Sequence, residues 1–239
     1  MAPLIEVSEK VLKDLDQLKI PYNLKKEEKS ELQAKTQKSD KEEFIYVPSI
    51  NIYVAKKRTH FNKTWKYCWT KLQKENYKML KINEFREFLK YLISAPNNQE
   101  YKNIFNEITE VRTPWRAEWL DANFKVKNKG LLKKDELYIL TENKSKEEKL
   151  EDCLMEDKTP GINLEDWING KNITSQGLPN KNIQSGNLYY WKPGSDNNPV
   201  ARFSAGVDGA VLNCGRGLFS TGSALGVRRC KAGLAGGTK

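Results

Sequence analysis

The sequence predicts an α+β fold, a small and mostly antiparallel sheet with flanking helices and long loops on the C-terminal side. Three observations predict it. Apolar residues recur at helical spacing in three segments between Phe61 and Ile108. Short runs with period-two alternation lie before and after those helices. Of the 15 glycines, 14 lie at or after Gly161 and only Gly130 precedes them, so a loop-rich half follows a helical one.

The elements follow in chain order. Met1 to Leu18 mixes charged and apolar residues in helical fashion, and Asn23 to Glu43 has no helical apolar face, so residues 1–43 read as a helix and a charged linker ahead of a domain spanning 44–239. Phe44 to Val47 and Ile50 to Val54 predict short strands around Pro48. Phe61, Trp65, Cys68, Trp69 and Leu72 then mark one face of a first core helix. Asn83 reads as the N-cap of a second, with Glu84 and Glu87 in its first turn, Phe85, Phe88, Leu89 and Leu92 on its face and Pro96 beyond it. A third carries Tyr101, Ile104, Phe105 and Ile108 and stops before Pro114. All three faces are read as core rather than cofactor-binding. The run from Pro114 to Leu120 leads into a strand at Phe124-Lys125-Val126, and Leu137 to Leu140 is another; a surface segment rich in Lys and Glu extends to Glu151. Leu188-Tyr189-Tyr190-Trp191 is the one strong apolar run among the loops that follow.

Composition narrows the function classes. Hydrophobic residues make up 38% and charged residues 30% of the 239 residues, a balance suited to a globular protein with a wet periphery. No apolar run approaches the roughly 18 residues of a membrane span, and no secretory signal is read, so the default expectation is cytoplasmic. The four cysteines, Cys68, Cys153, Cys214 and Cys230, are sparse and form no CxxC pair; reduced thiols are expected. His60 is the single histidine, which disfavours triad hydrolysis and multi-histidine metal sites. The net charge of +10 raises the possibility of nucleic-acid binding. Its lysines are interleaved with acids, as from Lys144 to Lys149, which is the pattern of a solvated face.

The informative stretch runs from Trp191 to Arg228. Ala201, Phe203 and Ala205 share one side of a strand, and Ala210, Leu212 and Cys214 share one side of the next. The opposite side shows Gly209, Val211, Asn213 and Gly215, and a turn follows from Arg216 to Gly222. One face is strict and the other is arbitrary in chemistry.

The frame formed by Gly194-Ser195, Ala201-Arg202-Phe203-Ser204-Ala205 and Gly226-Val227-Arg228 resembles the formylglycine-generating-enzyme-like branch of the C-type lectin fold. Four stretches in order, Trp115 to Leu120, Thr174 to Pro179, Leu188 to Trp191 and Leu225 to Arg228, are similar to the variable proteins of diversity-generating retroelements, in particular the archaeal ones. The resemblance extends from about Phe61 to Lys231.

It implies a lectin-like domain with a hypervariable region at about 200–228, in which a reverse transcriptase rewrites adenines so that side chains differ between gene copies. It also implies a non-enzymatic protein without cofactor or metal, binding a macromolecule, by preference a protein. The reverse transcriptase is a partner at the level of the gene. Adenine mutagenesis of an asparagine codon such as AAC never yields Lys, Glu, Gln, Met or Trp, and Ser204 to Ala224 contains none of the five. A glycine-rich loop that avoids long side chains would look the same.

The expected ligand-binding positions are Ser204, Val207, Asp208, Gly209, Val211, Asn213, Gly215, Arg216, Gly217, Leu218, Phe219, Ser220, Thr221 and Gly222. Aromatic, aliphatic and arginine side chains there would anchor a partner, although Phe219 could instead cap the core. Arg202 and Arg228 are expected to bond loop carbonyls as fixed support. The alternative activity is a copper oxidase like the formylglycine-generating enzymes, with Cys214 and Cys230 as its thiols, although the family's closely spaced cysteine motif is missing here. Calcium-dependent sugar binding through Asp196-Asn197-Asn198-Pro199 is not expected, because turn formation accounts for these residues.

Overall fold

A computed structural model describes residues 9–19, 43–127, 136–142, 146–152, 154, 156, 158–194 and 198–233. The expected linker therefore lies outside the described residues except for Glu43, as do Cys153, Ser195, Asp196 and Asn197. The chain forms two units, residues 1–43 and 44–239. The first contains helix α1 (Glu9–Gln17).

The second unit is α+β. It holds four helices, α2 (Trp65–Lys74), α3 (Ile82–Ile93), α4 (Gln99–Thr109) and α5 (Leu164–Ile168), among the described residues. Two sheets, mostly antiparallel, accompany them. The smaller has the order β1-β2-β12-β3, from β1 (Phe44–Val47), β2 (Ile52–Ala55), β3 (Lys78–Met79) and β12 (Arg229–Ala232). The larger runs β6-β5-β4-β9-β10-β8-β7, with β11 paired to β4. Its members are β4 (Arg116–Lys127), β5 (Glu136–Thr141), β6 (Lys146–Lys149), β7 (Lys158–Ile162), β8 (Leu188–Trp191), β9 (Val200–Gly206), β10 (Gly209–Arg216) and β11 (Leu225–Val227). Among the described strands, only β10 with β8 and β11 with β4 pair in parallel.

The helix faces pack as their periodicity requires. Phe85, Phe88, Leu89 and Leu92 of α3 are buried with Ile104 and Ile108 of α4 and Trp167 and Ile168 of α5. They meet the strict side of the β9–β10 hairpin, where Ala210 lies opposite Ala205 and Leu212 opposite Phe203. The Phe203 ring stacks on Trp167 at 6.0 Å and tilts against Phe85 at 5.0 Å. Burying side chains of this size contributes about 1.5–3 kcal/mol each, so this hairpin is the anchored part of the sheet.

Four sequence expectations are corrected. Helix α3 is capped at Lys81, two residues before Asn83, because Ile82 belongs to the core and must already be helical to face it. Glu84 then accepts from the Lys81 N–H at 2.9 Å, and the Asn83 side chain accepts from Arg86 Nε at 3.0 Å. Phe61 precedes α2, whose cap is Thr64, and stays exposed. Strand β4 begins eight residues before Phe124, and Arg116 to Phe124 are all buried. Both faces of that stretch are covered, so it shows no alternation. Finally, the Lys-Glu-Glu-Lys segment 146–149 is strand β6 at the sheet edge, where a charged strand discourages further pairing.

Candidate ligand-binding surface

The side of the large sheet opposite α3, α4 and α5 carries two cross-strand rows. Pairing places Tyr189, Val211, Ser204 and Ala117 in one, and Trp191, Asn213, Arg202 and Trp119 in the other, across β8, β10, β9 and β4. At the β4 end this side is sealed by a second core of Trp65, Cys68, Leu72, Met79, Val200, Leu225 and Val227 around Ala117 and Trp119. Toward β8 the cover stops. Val211, Asn213, Arg202 and Tyr189 are half-buried, and Trp191 is 44% exposed.

The segment after β10 borders this open face. The β9–β10 register shifts between Asn213 and Arg216, and the Gly215 N–H donates to Asn213 Oδ1 at 3.0 Å. The Ser220 N–H closes a turn onto the Gly217 carbonyl at 3.0 Å. Leu218 folds inward against the second core, whereas Phe219 at the tip is 81% exposed. The possibility that Phe219 caps the core is therefore set aside, since its neighbour does that work. Gly222 lies so close to the Trp115 ring that a Cβ there would stand 2.9 Å from it.

The expected positions divide by environment. Arg216, Gly217, Phe219, Thr221, Gly215 and the hairpin-turn residues Val207 and Asp208 are exposed. Val211, Asn213, Leu218, Ser220 and Gly222 are half-buried. Ser204 and Gly209 are buried. Gly209 has φ +102, so its lack of a side chain serves the β9–β10 turn rather than a close approach by a partner. Three aromatics beside the expected set, Trp115 (40% exposed), Tyr189 and Trp191, belong to the same face. Strand register brings Tyr189 and Trp191 to it, and the chain just before β4 brings Trp115.

Beneath this face, on the helix side of β4, lies a buried ion network. Glu118 accepts from Arg228 Nε at 2.9 Å and from Arg116 Nη2 at 2.5 Å. Arg228 also donates to the carbonyls of Ala55, at 2.9 Å, and Lys56. Arg58 donates to the carbonyls of Ala117 at 2.9 Å and Ala224 at 2.7 Å, and pairs with Glu107 at 3.2 Å. Burial alone would raise the Glu118 pKa, but Arg228, Arg116 and Arg58 outweigh it and hold the carboxylate at about 2. Arg228 is thus the carbonyl-bonding support expected of it.

Arg202 is different. Its guanidinium lies 5.8 Å from the Trp115 ring, its Nε is buried without an acceptor, and no carbonyl receives it. Burial, followed by the charge of Arg216, lowers its pKa to about 10. The expected role of bonding loop carbonyls is not the one it has, because β9 aims it at the open face instead of the interior.

The thiols sit elsewhere. Cys68, Cys214 and Cys230 are buried and in no disulfide among the described residues, and burial pushes the Cys230 pKa up from its ordinary value. His60 is engaged by Thr59 Oγ1 at 2.9 Å and Glu75 at 3.5 Å ahead of α2. Among the described residues no helix is long and apolar enough to cross a membrane. Compared with known proteins, the chain matches no family model, no curated protein and no solved structure.

Proposed function

We propose that this chain is a non-enzymatic binding protein on a C-type-lectin-like frame, with a surface diversified by a retroelement. The observation that carries the reading is the division within one hairpin. Ala210, Leu212 and Cys214 are fixed by the core, while Val211, Asn213 and the Arg216 to Gly222 segment line an open face. Side chains at Val211, Asn213, Arg216 and Phe219 can change without disturbing the packing beneath them, whereas Leu218 and Gly222 are held by the second core and the Trp115 ring. Phe219, Val207, Trp115 and Trp191 provide exposed apolar anchors of the type that dominates protein interfaces.

An oxidase would need Cys214 and Cys230 as thiolates at one copper ion. Burial of both opposes that, because desolvation favours the neutral thiol. Purified protein is expected to take up no copper.

Sequencing the DNA beside the gene tests the proposal. A near-identical repeat differing at adenines, together with a reverse-transcriptase gene, is expected. The absence of both would overturn the retroelement reading. Binding itself is tested by displaying variants randomised at Val211, Asn213, Arg216 and Phe219. Folded variants that select against protein targets are expected, and a library that folds but never yields a binder would overturn it.

A further inference from the structure

We propose that the open face takes an acidic side chain of a protein partner, held between Arg202 and Arg216 against the Trp115 ring. This rests on the binding reading above and names the chemistry of one subsite.

Four arginines elsewhere in the molecule have acids beside them. Arg58 pairs with Glu107, Arg86 with Glu87, and Arg116 and Arg228 with Glu118. Arg202 and Arg216 break this pattern. Arg216 lies opposite Val200, two residues from Arg202 along β9, near enough for the two charges to repel, and neither side chain has an ion pair or hydrogen bond to a described residue. Such an arrangement is unfavourable in the free protein, and a carboxylate placed between the two relieves it. The Arg202 guanidinium lies over the Trp115 ring at 5.8 Å, and its planar donor fork suits a carboxylate through two parallel hydrogen bonds.

The surroundings favour an acidic peptide over a nucleic acid. A phosphate backbone is tracked by a chain of cations. Here Val211, Asn213 and Ser204 lie beside Arg202 in the two rows, and the nearby Lys192 is paired with Glu156. Asp208 occupies the hairpin turn. Two arginines set among Phe219, Trp191 and Val211 suit one or two acids flanked by apolar residues.

The test uses the full chain and a blocked pentapeptide alternating leucine and glutamate. A glutamine-for-glutamate version and hexathymidylate serve as comparison ligands. The Nε–H signal of Arg202 and the indole signal of Trp115 are followed by NMR during titration. Saturable shifts of both with the glutamate peptide are expected. The loss in R202Q and in R216Q should be roughly tenfold in affinity, the size of one charge-assisted contact. Arg216 is exposed, so R216Q keeps the test valid even if R202Q perturbs the fold. Equal binding of the glutamine peptide would overturn the acid subsite while leaving a binding surface in place. Tighter binding of hexathymidylate, or an unmoved Arg202 signal at millimolar peptide, would overturn it as well.

Discussion

Adjacent residues on β10 have opposite tolerances. Leu212 is fully buried opposite Phe203, and Val211 is half-buried on the open side. An unpaired carboxylate in the core is far more costly than one at a wet face. Leu212→Asp is expected to abolish cooperative thermal unfolding. Val211→Asp should cost about 1 kcal/mol or less, and equal destabilisation by the two would contradict the face assignment. Glu118 is the reverse case of a charge that must stay. Glu118→Gln leaves Arg228 and Arg116 facing each other in the interior, and breaking a buried pair in this way costs about 3–5 kcal/mol. A urea titration should show that fall in stability. Of the residues in the candidate site, alternation marked Val211, Asn213 and Gly215 as outward, and the exposed positions from Arg216 to Thr221 were legible as a glycine-rich turn. Arg202 and Trp115 were not, because their convergence depends on how β9 is aligned with β4 and on where the chain before β4 runs.

At the scale of elements, the helices were legible because each keeps one wet face, so their apolar residues stand out at the helical period. Strand β4 was not. Between Arg116 and Phe124 it is buried on both faces, and its charged residues find partners inside the fold instead of marking a solvent side. Strand β6 was hidden for the opposite reason, since an edge strand of lysine and glutamate buries almost nothing. The segment from Arg216 to Gly222 is not an independent element; it leans on Trp115 through Gly222 and on the second core through Leu218. Trp115→Ala is expected to raise trypsin cleavage after Arg216 about fivefold, for about 1 kcal/mol of lost local packing. An unchanged cleavage rate would mean that Leu218 alone holds the segment.

For the whole molecule, two buried carboxylates pull stability in opposite directions with pH. Glu118 has a folded pKa of about 2 against an ordinary 4.5. Its contribution, about 3 kcal/mol, is present above pH 4.5 and is lost as pH falls toward 2. Asp121 is raised to about 6 from 3.8, by burial first and then by the Glu84 carboxylate, against the opposing Glu142 N–H. Its protonated form favours the fold, so the stability it lends is full below pH 3.8 and disappears as pH rises through about 6. Together they place the maximum melting temperature between about pH 4 and pH 5, below neutrality. Asp121→Asn should raise the melting temperature at pH 7.5 and flatten the rise between pH 7 and pH 4. A melting temperature highest at pH 8 would contradict the pairing.

Arg58 and Arg228 hold the frame in part by donating to the carbonyls of Ala55, Lys56, Ala117 and Ala224. Every amino acid presents the same carbonyl, so these clasps do not read the side chains at the positions they grip. Under the proposed diversification of the segment ending at Ala224, the clasp would cost nothing in permitted alphabet. Products of that proposed diversification would fold alike before any selection, and a search for ligands would run at the pace at which mutations arise.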